Sequence, residues 1–437
     1  MSVTGKKKIV IIGAGSLQFG LGSVGNILAS KTLEGTTICL HDINAGNLQL
    51  VHQAAQAAIE KKKVDFNLES TIDRGDALHH ADFIINSIEV TPRFELWEHD
   101  YYIPLQYGNK QIMGENGGPG GLFHAVRVIP PILDICDDIM RTCPEALFIN
   151  FSNPMSRICL AIKRKFPKLQ FIGLCHEYQH FLPQVARLLD TPIANLETRG
   201  GGLNHFGVLL DVKYKDTGKD AYPEIREKGV DFFSTMVGYD GFKLVASILE
   251  KFGYLPYTTD SHFGEYIHWA WEKADMPAVR QFYSAYKELL LQQRDQIVSK
   301  IQRGKGARLV KPDEENAIPI IEAMLSSDEH LEPSINIPND GIITNLPSDL
   351  VVECPATISK DGIKGIHLGD LPKGIAALLR HQASVQDIAV ESILQESKDL
   401  LMQALLVDPC VGTTRQAERI LEHLLKVEKD SISINFE

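Results

Sequence analysis

Short apolar runs alternate with helical segments through the first half of the chain, and this alternation restricts the fold more than any other feature. The apolar runs read "KKKIVIIG", "TTICLHD", "ADFIINSIEV", "EALFINFSNP" and "LQFIGLCHE", and helical patterns such as "NAGNLQLVHQAAQAAIEKK" separate them. Parallel strands need crossover connections, which are usually helices. We therefore predict an α/β fold with a Rossmann-like, doubly wound parallel sheet over residues 6–195.

The second half of the chain has a different pattern. After "GGLNHFGVLLDVKYKDTGKDAYPEI", long amphipathic helices such as "MPAVRQFYSAYKELLLQQRDQIVSKIQRG" follow an alternating, strand-like run. At 437 residues the chain also exceeds the length that a single hydrophobic core usually supports. We predict two domains, a doubly wound domain at 1–195 and a mixed α+β domain at 196–437.

Composition excludes several classes of protein. The formal net charge of −12 argues against a general surface for nucleic acid or for anionic membranes. Apolar residues make up 44% and charged residues 23%, which is typical of a soluble globular protein. The apolar runs are too short to span a bilayer, and no cleavable apolar region follows the first lysines, so we predict a cytoplasmic location. Seven scattered cysteines without CxxC spacing indicate reduced thiols.

Two glycines follow the first predicted strand directly. Gly13 permits a tight turn, and Gly15 lets the backbone approach a pyrophosphate at the helix N-terminus, although Gln18 stands where a full fingerprint has a third glycine. Asp42 ends the second predicted strand, where a carboxylate accepts hydrogen bonds from a ribose and favours NAD. The alternative is a plain strand-to-helix turn in which Asp42 caps a helix. The predicted cofactor-binding residues are Gly13, Gly15, Ser16, Asp42 and Asn86.

Three polar clusters fall at the carboxyl ends of predicted strands. They read "NSIEV" from residue 86, "NFSNP" from residue 150 and "CHE" from residue 175. Ligands of doubly wound sheets bind beyond these strand ends, so we expect the clusters to converge on one crevice. "GGLNHFG" adds Asn204 and His205 where the chain enters its second half.

Cys175 and His205 form a candidate metal site. A thiolate and a neutral imidazole would bind one divalent cation and leave positions open for substrate hydroxyls. Taken singly, a cysteine in a strand usually belongs to the core, and a histidine near a loop is usually solvated. Only the combination of the two indicates a metal site.

Two further segments carry candidate functional residues. "MGENGGPGGLFHAVRVIP" is rich in glycine and runs into a helix, so it is either a substrate or cofactor loop or a flexible connection. "YLPYTTDSHFGEY" either supplies a general base or is an exposed polar loop. Its candidate side chains are Tyr257, Asp260, His262, Glu265 and Tyr266.

The ordered motifs resemble those of glycoside hydrolase family 4, the NAD- and manganese-dependent glycosidases. The resemblance covers most of the chain and runs through "IVIIGAGS", "NFSNPMS", "GLCHE", "GLNHFG", "INIPNDGIITNLPSDLVVE" and "LPKG". Lactate and malate dehydrogenases resemble the nucleotide domain but lack the cysteine motif followed by an NHF motif. The resemblance implies a fold like that of those dehydrogenases, with a C-terminal domain for substrate, metal and oligomerisation in a homodimer or homotetramer.

Within this family the residues after the motif cysteine follow substrate class. A "CHE" triplet resembles the α-galacturonidase and α-glucuronidase branch more than the α-galactosidase, α-glucosidase or phospho-glycosidase branches. Tyr178 and Gln179 depart from that pattern. We therefore expect hydrolysis of α-galacturonides, with the other α-glycosides of the family as alternatives. A 2-hydroxyacid or sugar dehydrogenase and a non-enzymatic NAD-binding regulator are competing functions.

The resemblance implies an oxidoreductive hydrolysis. NAD+ takes a hydride from C3 of the sugar, a base removes the C2 proton, the glycosidic oxygen leaves C1, water adds, and the hydride returns. Cys175 and His205 match the family's metal ligands, and Mn2+ or another divalent cation would chelate the C2 and C3 oxygens. His176 matches the acid that protonates the leaving oxygen.

The resemblance also assigns substrate contacts. Asp260 is the expected C2 base, with Tyr257 and His262 as alternatives, and Asn153 and Asn204 are expected to contact substrate hydroxyls. A uronic acid needs a cationic partner, which we predict to be Arg93. Other candidates, each of which is otherwise a solvated surface residue, are His124, Arg127, Arg303 and Arg308.

Overall fold

The computed structural model describes residues 7–237, 240–313 and 315–436. Within these residues the strands are β1 (Lys8–Ile12), β2 (Thr37–His41), β3 (Asn67–Thr71), β4 (Phe83–Asn86), β5 (Leu147–Asn150), β6 (Phe171–Gly173), β7 (Leu196–Leu203), β8 (Phe206–Tyr214), β9 (His330–Pro338), β10 (Val351–Ser359) and β11 (Gly362–Gly365). The α-helices are α1 (Leu17–Ile27), α2 (Ala45–Lys62), α3 (Arg74–Leu78), α4 (Arg93–Gln106), α5 (Gly118–Thr142), α6 (Met155–Lys165), α7 (Glu177–Leu188), α8 (Tyr222–Thr235), α9 (Lys243–Phe252), α10 (Asp260–Phe263), α11 (Ala270–Lys273), α12 (Met276–Gln302), α13 (Ala317–Leu325), α14 (Lys373–Leu394), α15 (Lys398–Val407) and α16 (Thr414–Val427).

Parallel strands form the first half of one continuous sheet, in the order β3-β2-β1-β4-β5-β6. Most of these strands are apolar and buried; in β1, for example, Ile9 and Val10 are fully inaccessible to solvent. The predicted Rossmann-like, doubly wound sheet is confirmed. The sequence pattern did not reveal β3, because its residues "NLEST" are polar except for Leu68 and mostly exposed, as the edge of a sheet allows.

Antiparallel strands continue the same sheet in the order β9-β10-β7-β8, and β11 pairs with β10. β9 runs antiparallel to β6, with Gly173 opposite Asn336. The predicted mixed α+β character of the second half is therefore confirmed. The predicted domain boundary at residue 195 falls directly before β7 and stays a prediction, since strands from both halves complete one sheet.

Among the described helices, none combines the length and the apolar character needed to cross a lipid bilayer.

A buried ionic cluster ties the end of the chain to its first half. Arg127 of α5 contacts Asp100 of α4 and Glu428, the residue after α16. Its Nη1 donates a hydrogen bond to Asp100 Oδ1 at 2.9 Å. All three side chains are buried, so each charge depends on the others for compensation.

Replacing Glu428 tests this anchor. Glu428→Ala leaves Arg127 buried with one of its two carboxylate partners removed, and we expect the free energy of unfolding to fall by about 3–5 kcal/mol. Urea denaturation of both proteins measures the change. Glu422→Ala, on the exposed side of α16, is the matched control and should change it by less than about 0.5 kcal/mol. Equal stability of wild type and Glu428→Ala would contradict the account.

Candidate active site

Cys175 and His205 meet at the carboxyl ends of the parallel strands. Cys175 follows β6 by two residues, and His205 lies in the two-residue turn between β7 and β8. Cys175 Sγ lies 3.3 Å from His205 Nε2. The turn places His205 in the left-handed region, at a φ of 60°, which is uncommon for a residue with a side chain and occurs preferentially at functional sites.

The protonation of this pair follows from its burial. Burial raises the pKa of the Cys175 thiol well above its usual value, and the charges of Glu353 and Glu177 raise it further. Burial lowers the pKa of His205 well below its usual value, and His262 and His176 contribute in the same direction. His205 is therefore a neutral imidazole, the form that binds metals.

The donor set fits a catalytic metal site with open positions. Within the described ranges, no three His, Cys, Asp or Glu side chains gather into a ready-made metal cluster. One sulfur and one imidazole nitrogen would leave the remaining coordination positions to water or substrate oxygens. The Asn116 side-chain amide lies 3.2 Å from His205 Nδ1 and so helps to orient the ring with Nε2 toward the thiol.

His176 lies beside this pair on the accessible side. Its side chain is 44% exposed, and its Nδ1 lies 3.4 Å from Glu315 Oε1. Burial lowers the pKa of His176, but the hydrogen bond to Glu315 and the charge of Glu177 raise it more, so the net shift is upward. The ring can therefore reach a ligand in the crevice and carries a proton more readily than a free histidine.

Glu177, whose role the sequence left unassigned, joins two loops. Its Oε2 accepts a hydrogen bond from Thr258 Oγ1 at 2.5 Å. Glu177 opens α7, so this bond connects the "CHE" segment to the "YTTDSHFGEY" loop. Glu265 makes a comparable connection, since its carboxylate accepts from the backbone nitrogens of Glu115 at 2.5 Å and Asn116 at 2.9 Å.

The predicted nucleotide turn has the expected geometry. Gly13 has a φ of +85°, and a Cβ at Gly15 would lie 2.7 Å from the Asp42 carboxylate. Gly15 N donates to Asp42 Oδ2 at 2.7 Å. Ser16 is exposed at the start of α1 and makes no side-chain capping bond there, so the helix N-terminus is open to an anion.

Gly20 supplies the close helix packing that a third fingerprint glycine would provide. A Cβ at Gly20 would lie only 2.1 Å from the carbonyl oxygen of Ala14, so only glycine fits there. Gly20 ends the sequence "GAGSLQFG", but it stands two residues after the position of the third glycine in the fingerprint.

The three predicted asparagines have different environments. Asn86 is fully buried, and its Nδ2 donates to Asn150 Oδ1 at 2.9 Å, which links the ends of β4 and β5. Asn153 is half-buried, and its Oδ1 accepts from the backbone nitrogen of Met155 at 3.3 Å. Asn204 Nδ2 is already engaged, since it donates to Glu353 Oε2 at 2.7 Å. Their cofactor and substrate roles stay predictions.

Backbone donors surround the Asp260 carboxylate. This carboxylate is fully buried and accepts from the backbone nitrogens of Leu244 at 2.9 Å, Val245 at 3.1 Å and Asp275 at 2.8 Å. Burial raises its pKa to about 6, against the opposing effect of these hydrogen bonds. This geometry caps the first turn of α9, and it does not favour the predicted role of C2 base, which stays untested.

Two other side chains of the same loop contact the turn that carries His205, and a third, Tyr257, packs beside Tyr178. The ring centroid of His262 lies 4.6 Å from that of His205, and Tyr266 donates from its hydroxyl to the carbonyl oxygen of Asn204 at 3.4 Å. Tyr257 is fully buried, with its ring 4.9 Å from that of Tyr178.

Charge distinguishes His262 from Tyr266. Burial lowers the pKa of His262, but Glu177 and Asp240 raise it to about 10, so this ring is a cation. Burial and the charge of Glu265 raise the pKa of Tyr266, while the buried guanidinium of Arg157 lowers it. The net shift of the Tyr266 pKa is upward, so its hydroxyl beside the turn is neutral unless a further cation lies close to it.

The predicted cationic partners of a uronic acid are paired with carboxylates. Arg93 lies 3.9 Å from Glu89 and 3.8 Å from Glu115, and His124 Nε2 lies 3.1 Å from Glu89. Arg127 belongs to the buried cluster with Asp100 and Glu428. The remaining candidates are exposed and are Arg303 and Arg308.

Comparisons with known proteins identify the family of the chain. Residues 8–191 match the family model "Family 4 glycosyl hydrolase", and residues 201–411 match "Family 4 glycosyl hydrolase C-terminal domain". An α-glucosidase from Erwinia rhapontici is 42% identical over 96% of this chain and 97% of its own. An α-galacturonidase from Thermoanaerobacter italicus is 27% identical over 92% of each chain.

Solved structures show the same fold. A 6-phospho-α-glucosidase from gut microorganisms, in complex with NAD and Mn2+, superposes with a TM-score of 0.82 at 21% identity, covering 99% of this chain and 100% of that one. A malate dehydrogenase from Plasmodium falciparum in complex with NADH gives 0.51 at 15% identity, over 90% and 99% of the two chains, which confirms the predicted dehydrogenase-like fold. With both family models matched across most of its length, the chain belongs to family 4 of the glycosyl hydrolases.

Proposed function

We propose that this glycosyl hydrolase cleaves α-glucosides with a retained NAD and a divalent cation, preferably Mn2+. The observation that carries the proposal is the 3.3 Å contact between Cys175 Sγ and His205 Nε2 at the carboxyl edge of a nucleotide-binding sheet. The family 4 neighbour that contains both NAD and Mn2+ supports it. A cytoplasmic location and a homo-oligomer stay predictions.

The residues of the first turn would hold the cofactor. Gly13, Gly15 and Ser16 open the N-terminus of α1 to a pyrophosphate, and Asp42 lies beside them. Bound in this way, NAD would supply a hydride acceptor for C3 and then a hydride donor, so no net NADH would form. Cys175 and His205 would hold the cation, which supplies positive charge beside the sugar's hydroxyl oxygens.

His176 is the proposed acid for the leaving oxygen. It is the accessible member of the "CHE" triplet, and the nearby carboxylates of Glu315 and Glu177 favour its protonated form. A group that is partly exposed and hydrogen-bonded from one side can deliver a proton to an aglycone that enters from solvent.

The substrate is a neutral sugar in this proposal, which replaces the expectation of a galacturonide. Two cations near the crevice have carboxylate partners: Arg93 lies beside Glu89 and Glu115, and His262 Nδ1 lies 3.4 Å from Asp240. An added uronate would compete with carboxylates that are already in place, whereas sugar hydroxyls can donate to them. The 42% identity to an α-glucosidase, against 27% to an α-galacturonidase, favours the same choice.

Tyr266 is the proposed C2 base in preference to Asp260; it would act as a tyrosinate, which a cation held by Cys175 and His205 would favour against the effect of burial. The Tyr266 hydroxyl lies beside the turn that carries His205, whereas the Asp260 carboxylate is enclosed by backbone donors. A general base must come within hydrogen-bond reach of the proton that it removes.

Two variants distinguish these bases. Tyr266→Phe should keep its fold and lose about 10²–10⁴-fold of turnover and of C2 proton exchange with deuterated solvent. Asp260→Asn should lose about 1–3 kcal/mol of stability, because its amide NH2 would face a backbone donor, while turnover per folded molecule is largely kept. NMR of the exchanged product and thermal melting measure the two effects. The reverse pattern would restore Asp260 as the base.

A substrate panel tests the function. Reduced protein with NAD+ and Mn2+ should release the aryl group from an aryl α-glucoside with no net change in NADH absorbance. We expect kcat/KM for an aryl α-galacturonide to be at least about 100-fold lower, because its charge would be buried without a free partner. An aryl β-glucoside serves as the control for anomer. Accumulation of NADH with product would instead indicate a dehydrogenase, and preference for the galacturonide would overturn the substrate assignment.

A further inference from the structure

A row of aligned residues crosses the sheet between the two segments that carry Cys175 and His205. Gly173 of β6 pairs with Asn336 of β9, Asn336 pairs with Glu353 of β10, and Glu353 pairs with Gly202 of β7. Cys175 comes two residues after the first member of this row, and the turn with His205 begins two residues after the last. Two strands, β9 and β10, therefore lie between the segments, and the row of paired residues crosses both strands.

Hydrogen bonds between side chains run along this row. Glu353 Oε2 accepts from Asn204 Nδ2 at 2.7 Å and from Asn336 Nδ2 at 3.2 Å. Asn336 Nδ2 also donates to the carbonyl oxygen of Gly173 at 3.4 Å. Asn204 is the neighbour of His205 in the turn, so one carboxylate oxygen is connected to both ligand-bearing segments.

The Glu353 carboxyl group is buried, and packing alone does not explain why a polar side chain stands there. Glu353 is 1% exposed and Asn336 is 0% exposed. A buried carboxyl group costs stability unless its hydrogen bonds compensate, and an apolar side chain would fill the same space without that cost. Gly173 packs closely against Asn336, since a Cβ added at Gly173 would lie 3.1 Å from Asn336 Cβ.

We propose that Glu353 is a positioning residue, which sets the separation of Cys175 Sγ and His205 Nε2 by holding Asn204 on one side and Asn336 on the other. It does not touch the cation or the substrate. The inference rests on the proposed function, because the pair needs a defined separation only if it binds a cation. Groups that orient metal ligands from outside typically change metal affinity by about 10–100-fold when they are replaced.

Cobalt binding to Glu353→Gln tests the proposal without relying on turnover. Titration of reduced wild-type protein with Co2+ should produce a thiolate-to-cobalt charge-transfer band. We expect Glu353→Gln to weaken Co2+ affinity by about 10–100-fold and to shift or weaken that band, because a neutral amide oxygen holds the two asparagine amides less strongly than a carboxylate oxygen.

Glu332→Gln is the matched control. Glu332 is also a buried carboxyl group, on β9, and it accepts from two side-chain amides, Gln179 Nε2 at 3.2 Å and Asn316 Nδ2 at 3.3 Å. It lies outside the row, so its replacement should leave the affinity and the band as in wild type. If Glu353→Gln does not fold by thermal melting, Asn336→Ala, which breaks the same connection, should show the same loss of affinity.

The outcomes separate the two proposals. If wild-type protein gives no thiolate-to-cobalt band, the proposed metal site fails. If wild type binds Co2+ and folded Glu353→Gln binds it with the same affinity and the same band, the positioning role is overturned while the metal site stands. A lowered melting temperature with an unchanged band would assign Glu353 to stability alone and would also overturn the inference.

Discussion

The pairing of Gly173 with Asn336 is the contact on which the site depends, because it joins the parallel half of the sheet to the antiparallel half. Through it, β9 and β10 lie between β6 and β7, and the turn after β7 returns to the carboxyl edge where β6 ends. Cys175 and His205 are 30 residues apart in sequence but 3.3 Å apart in space for this reason. A sheet that ended at β6 would leave the cysteine without its partner.

Charge gives the crevice its selectivity in this account. Carboxylates from separate segments approach it, and the nearby cations form pairs with them. Such a site has acceptors for sugar hydroxyls, while its cations Arg93 and His262 already have carboxylate partners. The similarity to an α-glucosidase and the "CHE" triplet point to different branches of one family, and the pairing of charges favours the first.

Much of this architecture was predictable from local patterns. Apolar runs and glycine turns predicted the parallel strands and the nucleotide turn, and the ordered motifs predicted the family. Residues whose roles depend on distant partners were not predictable. Asp260 caps α9 because the fold brings its carboxylate to the first turn of that helix. Glu353 meets Asn204 only because β10 lies beside β7. β3 carries no apolar period, so neither pattern nor motif indicated it.

Anomalous diffraction would show whether Cys175 and His205 together bind one divalent cation. Crystals of the reduced protein grown with Mn2+ and NAD+ would be measured on both sides of the manganese absorption edge. We expect a single strong anomalous difference peak within bonding distance of Cys175 Sγ and His205 Nε2, about 2.0–2.6 Å from each. A manganese peak bonded to neither side chain, with both ordered, would contradict it.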